Sequence, residues 1–520
     1  MGTLADEIAR ALKHHGVARV FGIPGGGSSL DIMDAAKRAD MPFRLARTEA
    51  AASIMAAVTG ELTRAPGAVL VGVGPGASSA VNGIAYASLE RSPMVLFIDG
   101  PASSLHQHFD QQAVYAPLAR RTAQLRPDVG AATLNSLLTQ SMNAPEGPVV
   151  VELTAGDAAA EARAFEPVPH LPAIEPTSTD VDGASAMLAA SQKPAIIVGL
   201  EARAHGDAVR AFADALGAVC FTTYKASGVI NAEVPHFIGP FTGASGENKA
   251  LSDADLIIGI GFDAIECIPG TWPDTLAPVL MLSEAAPTNP RVPVAFAVTG
   301  DLSSTLAALK PKLHSAWQRD DIATLRRHMN DIYTPRGNGF SNAHVVQAMT
   351  EVVDPATRLC LDAGAHMFAV FGLWPSSKPF GILNSNGLSS MGYSLPAAIA
   401  SKLAEPDVPV IAYTGDGGLA MCLGELATAS ELDLDITLCV INDAALSLID
   451  IKQQRQQRPS VGVRSPLIDY AAVAQTLGWA SEVIEDADAL KRALSKPGRK
   501  LLDIRIDPAG YGDELARLRG

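Results

Sequence analysis

Apolar residues come in short, unbroken runs along the chain. Examples are "AVLVGV" (68–73), "MVLFI" (94–98), "AIIVGL" (195–200), "LIIGIG" (256–261), "PVIAY" (409–413) and "ITLCVI" (436–441). Runs of this length, rich in Val, Ile and Leu, predict buried strands. Elsewhere the apolar positions fall at a spacing of three and four. Leu419, Cys422, Leu426 and Ala429 do so, which predicts a helix over 419–433. Alternation of the two patterns predicts an α/β fold of parallel sheets covered by helices. Two stretches interrupt it. "FEPVPHLPAIEPTSTD" (165–180) is proline-rich and reads as a linker. "HSAWQRDDIATLRRHMNDIYTPRGNG" (314–339) is charged, ends in turn residues and reads as a solvated connecting segment. A chain of 520 residues is too long for one core. The expected organisation is three doubly wound parallel-sheet domains at about 1–170, 180–312 and 340–520.

The outer two segments resemble each other. Residues 68–100 and 409–443 each run strand, G-x-G turn, helix, polar turn, strand, which predicts a duplicated fold. In the second copy, both strands end in acids. Asp416 sits in Gly415-Asp416-Gly417-Gly418, and Asp443 follows "VIN". A β-α-β crossover makes the two strands parallel, so both acids lie at carboxyl ends, the edge where open α/β sheets bind ligands. Gly417 and Gly418 would leave helix-terminal N–H groups that favour an anion. Two carboxylates beside that anion repel it unless a cation lies between them. Mg²⁺ suits one or two carboxylates plus phosphate oxygens, so the stretch reads as a metal–diphosphate site. The plainer alternative is a turn acid that caps a helix.

Composition narrows the class. Apolar residues make up 48% and charged residues 18%, which gives ample core for a globular chain. A net charge of −15 and the lack of a Lys/Arg block argue against a nucleic-acid surface. The five cysteines (220, 267, 360, 422, 439) show no C-x-x-C pair and read as buried, reduced thiols of a cytoplasmic protein. The first 16 residues form an amphipathic pattern without a signal-peptide core, and no apolar run is long enough for a membrane span.

With these motifs in view, the chain resembles the thiamine-diphosphate-dependent enzymes, in particular the acetolactate-synthase-like branch. "GDGG…VIND" resembles that family's G-D-G…N-N motif, with Asp443 at its second Asn, 27 positions after Asp416. Further stretches that resemble the family are "VFGIPGGGSSLDIMDA" (20–35), "RTEAAASIMA" (47–56), "GPGASSAVNGIAYA" (74–87), "KPAIIVGLEA" (193–202), "LSDADLIIGIGFD" (251–263), "DAGAH" (362–366) and "NGLSSMGYSLPAAIA" (386–400). They span nearly the whole chain.

The resemblance implies roles. Asp416, Asp443 and the carbonyl of Ala445 would hold the metal. Gly364, Ala365 and His366 would approach the diphosphate, with Gly415, Gly417, Gly418, Leu446 and Ser447. Met391 would wedge between the cofactor rings, and the carbonyl of Ser389 would accept from its 4′-amino group. Gly25 and Gly26 would face the thiazolium. Glu49 would share a proton with N1′ of the aminopyrimidine and so favour the imino tautomer that deprotonates C2. Thr48 replaces the family's usual His before Glu49, and Ala365 replaces a Gln. In "HQHFDQQAVYAP" (106–117), Gln107 would reach the substrate, and His106 and His108 would shuttle protons.

The implied activity is thiamine-diphosphate- and Mg²⁺-dependent cleavage or formation of a C–C bond beside a carbonyl. The substrate would be a small 2-oxo acid or a 2-hydroxy ketone or aldehyde. Active sites would lie at the interfaces of a homodimer or homotetramer. The middle segment could host FAD, although it carries no decisive motif. Rival readings are a benzoylformate-decarboxylase-like or aldehyde-lyase enzyme, and a thiamine-diphosphate-binding protein without turnover. A nucleotide-binding Rossmann protein lacks its fingerprint glycines.

Overall fold

Among the described residues of this computed structural model, eighteen strands assemble into three six-stranded parallel sheets. It describes residues 2–519 except 101–105, 108, 168–172, 244–245, 268–271, 274–275, 288–290, 310–314 and 338. The first sheet holds β1 (Val20–Ile23), β2 (Phe43–Leu45), β3 (Gly67–Val71), β4 (Met94–Asp99), β5 (Arg121–Gln124) and β6 (Pro148–Leu153). The second holds β7 (Pro194–Val198), β8 (Val219–Thr222), β9 (Phe237–Pro240), β10 (Leu256–Ile260), β11 (Val279–Ser283) and β12 (Val294–Thr299). The third holds β13 (Arg358–Leu361), β14 (Ile382–Asn384), β15 (Val410–Gly415), β16 (Thr437–Asn442), β17 (Ala480–Ile484) and β18 (Lys500–Arg505).

The strand orders are β2-β1-β3-β4-β6-β5, β12-β11-β10-β7-β8-β9 and β14-β13-β15-β16-β18-β17. The first and third follow the same path, as the internal resemblance predicted. The second has the order typical of a dinucleotide-binding sheet. Its side chains alternate between two cores. Ile197, Phe221, Ile257 and Met281 enter one, and Ile196, Cys220, Ile258 and Leu282 enter the other. Both faces are therefore covered, which is why its strands read as unbroken apolar runs.

Two expectations need correction. The supposed connecting segment contains a helix, Arg319–Tyr333, whose Ile322, Leu325, Met329, Ile332 and Tyr333 are buried in the core of the second sheet. Most of its charges lie on the outer face, while the half-buried Arg326 donates to the carbonyls of Phe237 and Val234. The single helix expected over 419–433 is two helices, Asp416–Cys422 and Glu425–Glu431. The expected apolar face is buried nonetheless. Between the two helices, Gly424 passes Arg47 so closely that a Cβ would come within 3.0 Å of the arginine Cβ.

By packing, the chain forms two compact units. One comprises Met1–Leu171, Gly387–Ala412 and Gly418–Ile436; the other comprises Pro172–Asn386, Tyr413–Gly417 and Thr437–Gly520. In the first unit, the buried helix Glu49–Thr63 packs on helices Val81–Leu89 and Ser394–Ala404. All five cysteines are buried, and none forms a disulfide among the described residues. No helix among the described residues is long and apolar enough to cross a membrane.

Candidate functional site

The two acids end neighbouring strands, β15 and β16. Asp416 is buried. Its carboxylate accepts from the N–H groups of Gly417 (2.8 Å) and Ala444, and the Tyr470 hydroxyl donates to its carbonyl (2.9 Å). The N–H of Gly417 is therefore engaged by Asp416 itself. Asp443 accepts from the Ala445 N–H (3.2 Å) and the Ser447 hydroxyl. Burial and then the charge of Asp443 push the Asp416 carboxyl up to about 6, against the pull of the two N–H groups. Burial also raises Asp443, opposed by Ser447 and the Ala445 N–H. No Lys or Arg hydrogen-bonds to either acid among the described residues.

The turn after Asp443 is set by its own backbone. Ala444 is left-handed (φ 55°). Ala445 bridges to Arg464, with the Leu446 N–H bonded to the Val463 carbonyl (2.8 Å) and the Ser465 N–H to the Ala444 carbonyl (3.0 Å). Those two bonds leave the Ala445 carbonyl out. The site residues that sequence reasoning missed here are aromatic. Tyr470 is one. Tyr511, from the last helix, is another: burial and then the charge of Asp443 hold its phenol well above the ordinary range. Their remoteness in sequence from either acid gave no signal.

The loop after β13 lies in the same unit. His366 is buried, its Nε2 has no hydrogen-bond partner among the described residues, and burial pushes its imidazole down to about 4, so it is neutral at neutral pH. The ring lies against Gly364 and Gly415. Asn342 fixes the turn by donating to the His366 carbonyl (2.9 Å) while accepting from the Tyr413 hydroxyl (2.6 Å). Ala365 is buried beside it.

The other unit holds the remaining candidates. Glu49 opens the helix Glu49–Thr63, and Thr48 caps it, its hydroxyl accepting from the Ala51 N–H (3.1 Å). The Thr that departs from the family pattern thus serves as a helix cap. Glu49 is half-buried beside Gly76, and its charge adds to the burial that raises Tyr115. The Gly25–Gly26 loop is tied to the end of β4. Asp99 accepts from the Gly27 N–H (3.2 Å), the Ser28 hydroxyl (2.7 Å), and the Ser29 N–H and hydroxyl (2.7 Å each). Gly25 packs so tightly on this acid that a Cβ would meet its Oδ2 at 2.1 Å, whereas Gly26 faces open space. Asp99 was missed, although an acid ending a buried run is the same signal that picked out Asp416.

His106 and Gln107 are exposed, with Gln107 left-handed (φ 59°); His108 lies outside the described residues. In that segment the buried glutamine is Gln111, which accepts from the Gly74 N–H (2.8 Å). Ser389 is exposed and left-handed (φ 55°), and Met391 is half-buried two residues on. Gly418 starts the segment that returns to this unit, and its carbonyl accepts from Cys422.

Among the described residues, the backbone at the second sheet's ligand crevice bonds to the chain itself. Its switch point lies between β7 and β10, where such sheets bind ligands. There Gly199 donates to the Ile260 carbonyl (2.9 Å) and Glu201 to the Gly261 carbonyl (3.1 Å). A Cβ on Gly199 would meet the Cα of Phe262 at 2.4 Å. The buried Glu266 accepts from the N–H groups of Leu200 (2.8 Å) and Asp263 (3.2 Å), and from the Thr223 hydroxyl.

Comparison with known proteins agrees with the geometry. The thiamine pyrophosphate enzyme family matches in three parts: its N-terminal TPP binding domain over residues 2–118, its central domain over 181–309 and its C-terminal TPP binding domain over 362–504. Among curated relatives, the catabolic acetolactate synthase of Raoultella terrigena is 27% identical, over 97% of this chain and 95% of its own. The acetolactate synthase of Bacillus subtilis is 26% identical over 98% and 94%. The large subunit of acetolactate synthase isozyme 1 of Escherichia coli is 27% identical over 97% and 94%. The chain belongs to the thiamine pyrophosphate enzyme family, as an acetolactate-synthase-like enzyme of the carboligase or decarboxylase type.

Proposed function

We propose that this enzyme makes or breaks a C–C bond beside the carbonyl of a small 2-oxo acid or 2-hydroxy ketone, with thiamine diphosphate anchored by Mg²⁺. The observation that carries the reading is the pair Asp416 and Asp443. Two carboxylates, both raised by burial, end neighbouring strands, and no basic side chain among the described residues hydrogen-bonds to either. The all-oxygen donor set suits a hard cation. Asp416, Asp443 and the carbonyl of Ala445 would hold it. Gly364, Ala365, His366, Gly415, Gly417, Gly418, Leu446 and Ser447 would border the diphosphate. When bound, thiamine diphosphate supplies the nucleophilic carbon and the electron sink.

The chain's own part is to orient and to move protons. Glu49 would hold a proton at N1′ of the aminopyrimidine. Met391 would keep the two rings apart, and the carbonyl of Ser389 would receive the 4′-amino group. Gly25 and Gly26 would border the reacting carbon; Gln107 and His106 would serve the substrate. We take 1–170 as the pyrimidine-binding domain, 180–312 as the central domain and 340–520 as the diphosphate-binding domain. We place Glu49 of one subunit opposite the acid pair of another, in a cytoplasmic homodimer or homotetramer.

The test has two arms. Thiamine diphosphate with Mg²⁺ is expected to raise the melting temperature of the apo-protein, because a ligand specific to the folded state stabilises it. A screen of 2-oxo acids, with CO₂ release and product identification in parallel, separates carboligase from decarboxylase and aldehyde-lyase chemistry. Glu49→Gln should keep the fold and slow C2 proton exchange of bound cofactor by NMR. An unchanged exchange rate removes Glu49 from its role.

A further inference from the structure

We propose that Glu425 is a positioning residue for Glu49: its buried carboxylate grips the backbone just before Glu49 and fixes where that side chain begins. The inference rests on the proposed role of Glu49. Glu425 opens the helix Glu425–Glu431, nine positions after Asp416, and is fully buried. Its Oε1 accepts from the N–H groups of Arg47 (2.8 Å) and Thr48 (3.1 Å), the two residues ahead of Glu49. Its Oε2 accepts from the Thr428 hydroxyl (2.8 Å). The same short segment touches Arg47 twice more. The Arg47 guanidinium pairs with Glu431 (2.5 Å), and Gly424 leaves room for the Arg47 Cβ.

These bonds act on the start of a helix. Thr48 is the cap of Glu49–Thr63, extended at φ −141° and ψ 149°. The N–H of a cap residue lies outside the helix's own bonding and needs an outside acceptor when buried. Glu425 supplies it for Thr48 and for Arg47 together. One oxygen that accepts from two consecutive N–H groups ties both to a single point, which restricts the rotation of the chain entering the helix. Glu49 is the first residue of that helix, so its Cα and side-chain direction follow from the grip. Burial opposes the charge and raises the Glu425 carboxyl, while Thr428 and the Arg47 and Thr48 N–H groups pull it down. A buried acid at this position is costly unless its bonds are used, and two of its bonds go to the N–H groups just ahead of Glu49.

A purely structural role predicts a loss of stability alone. A positioning role predicts a loss in the proton transfer that Glu49 performs, with the cofactor still bound. The test uses the full-length protein saturated with thiamine diphosphate and Mg²⁺. Glu425→Ala should slow C2 hydrogen–deuterium exchange of bound cofactor by about a hundredfold, the scale of an ångström's misplacement of a reacting group. Amide exchange at Arg47 and Thr48 should speed up. Glu425→Gln keeps one oxygen for the two N–H groups and turns its NH₂ toward the Thr428 oxygen, so it should restore C2 exchange to within about threefold of wild type. In a Glu49→Gln background, Glu425→Ala should cost nothing more, since both act on one step.

The outcomes separate the two ideas. If Glu49→Gln exchanges C2 normally, the role of Glu49 fails whatever Glu425 does. If Glu49→Gln is slow but Glu425→Ala matches wild type at cofactor saturation, the positioning role fails. Should Glu425→Ala not fold, Glu425→Gln and Glu425→Asp decide. Equal, slow exchange in both overturns the proposal, because Gln preserves the grip and Asp shortens it.

Discussion

Two carboxyl edges of this molecule carry buried acids at the ends of parallel strands, and they have opposite fates. At the third sheet, Asp416 and Asp443 end neighbouring strands, and the charge of Asp443 adds to the burial that raises Asp416. At the second, Glu266 follows β10 and is pushed up to about 8 by burial, against the bonds from Thr223 and the Leu200 N–H. Asp416 is raised by burial and then by a second acid, whose charge a cation would relieve. Glu266 instead occupies the N–H groups at the sheet's own ligand crevice. The difference shows that a raised acid at a strand end does not by itself mark a ligand site. Its partners decide: another acid invites a cation, whereas the chain's own donors close the edge.

The largest effect should follow from breaking the open edge. Asp416→Asn keeps an oxygen for the Gly417 and Ala444 N–H groups but removes the charge. The apo-protein should melt at the same temperature or higher, since a like-charge contact is gone. The rise on adding thiamine diphosphate and Mg²⁺ should vanish. In the wild type that rise reflects about 2.7 kcal/mol when the ligand is at about 100 times its Kd. Turnover should fall by about a hundredfold or more. A variant that still answers Mg²⁺ with the full shift would put the metal elsewhere.

The closed edge should answer in stability. Glu266→Ala strips the acceptor from the N–H groups of Leu200 and Asp263, at about 1–3 kcal/mol for each buried donor left unpaired. Glu266→Gln keeps those two bonds through its oxygen and donates to Thr223, so urea denaturation at pH 6 should place it near wild type. Equal losses in the two variants would mean that the Glu266 bonds matter less than its packing.

How much of this was legible depends on the kind of signal. The α/β class, the parallel sheets and the shared path of the outer two followed from apolar runs, because buried parallel strands leave that pattern. The acid pair was legible because both acids end such runs. Asp99 ends one too, at "MVLFID", and could have been read in the same way. Glu425 and Glu266 could not. Each sits in a short helix and acts on backbone far away in sequence, at Arg47 and Thr48 for the first and at Leu200 for the second. A side chain that serves distant backbone N–H groups leaves no local pattern. The Arg319–Tyr333 helix was hidden for another reason: charge on its outer face outweighed an inner face with regular spacing.

A smaller effect concerns pH. The folded protein holds a proton on Glu266 up to about pH 8, whereas an unfolded chain releases it near the ordinary glutamate range. Between those limits the native state binds more protons than the unfolded state, so this group makes stability fall as pH rises from about 5 toward 8. Wild type minus Glu266→Gln, measured by denaturation at pH 5, 6.5 and 8, should therefore turn increasingly unfavourable to wild type. A flat difference would mean that Glu266 ionises in the native state with little cost.

The smallest expected effect is none at all, and it bears directly on the comparison. A dinucleotide such as FAD would need its diphosphate at the switch point between β7 and β10. That position is taken three times over. The backbone N–H of Gly199 is bonded to Ile260, that of Glu201 to Gly261, and that of Leu200 to Glu266. Gly199 sits against the backbone of Gly261 and Phe262 with no room for a Cβ. To admit a diphosphate, the chain would have to give up these bonds. FAD or ADP at millimolar concentration should therefore leave the melting temperature unmoved, and the protein purified with riboflavin in the medium should be colourless. A saturable shift, or flavin absorbance that survives gel filtration, would show that the second edge opens as the third does, and the contrast between them would be one of occupancy and not of design.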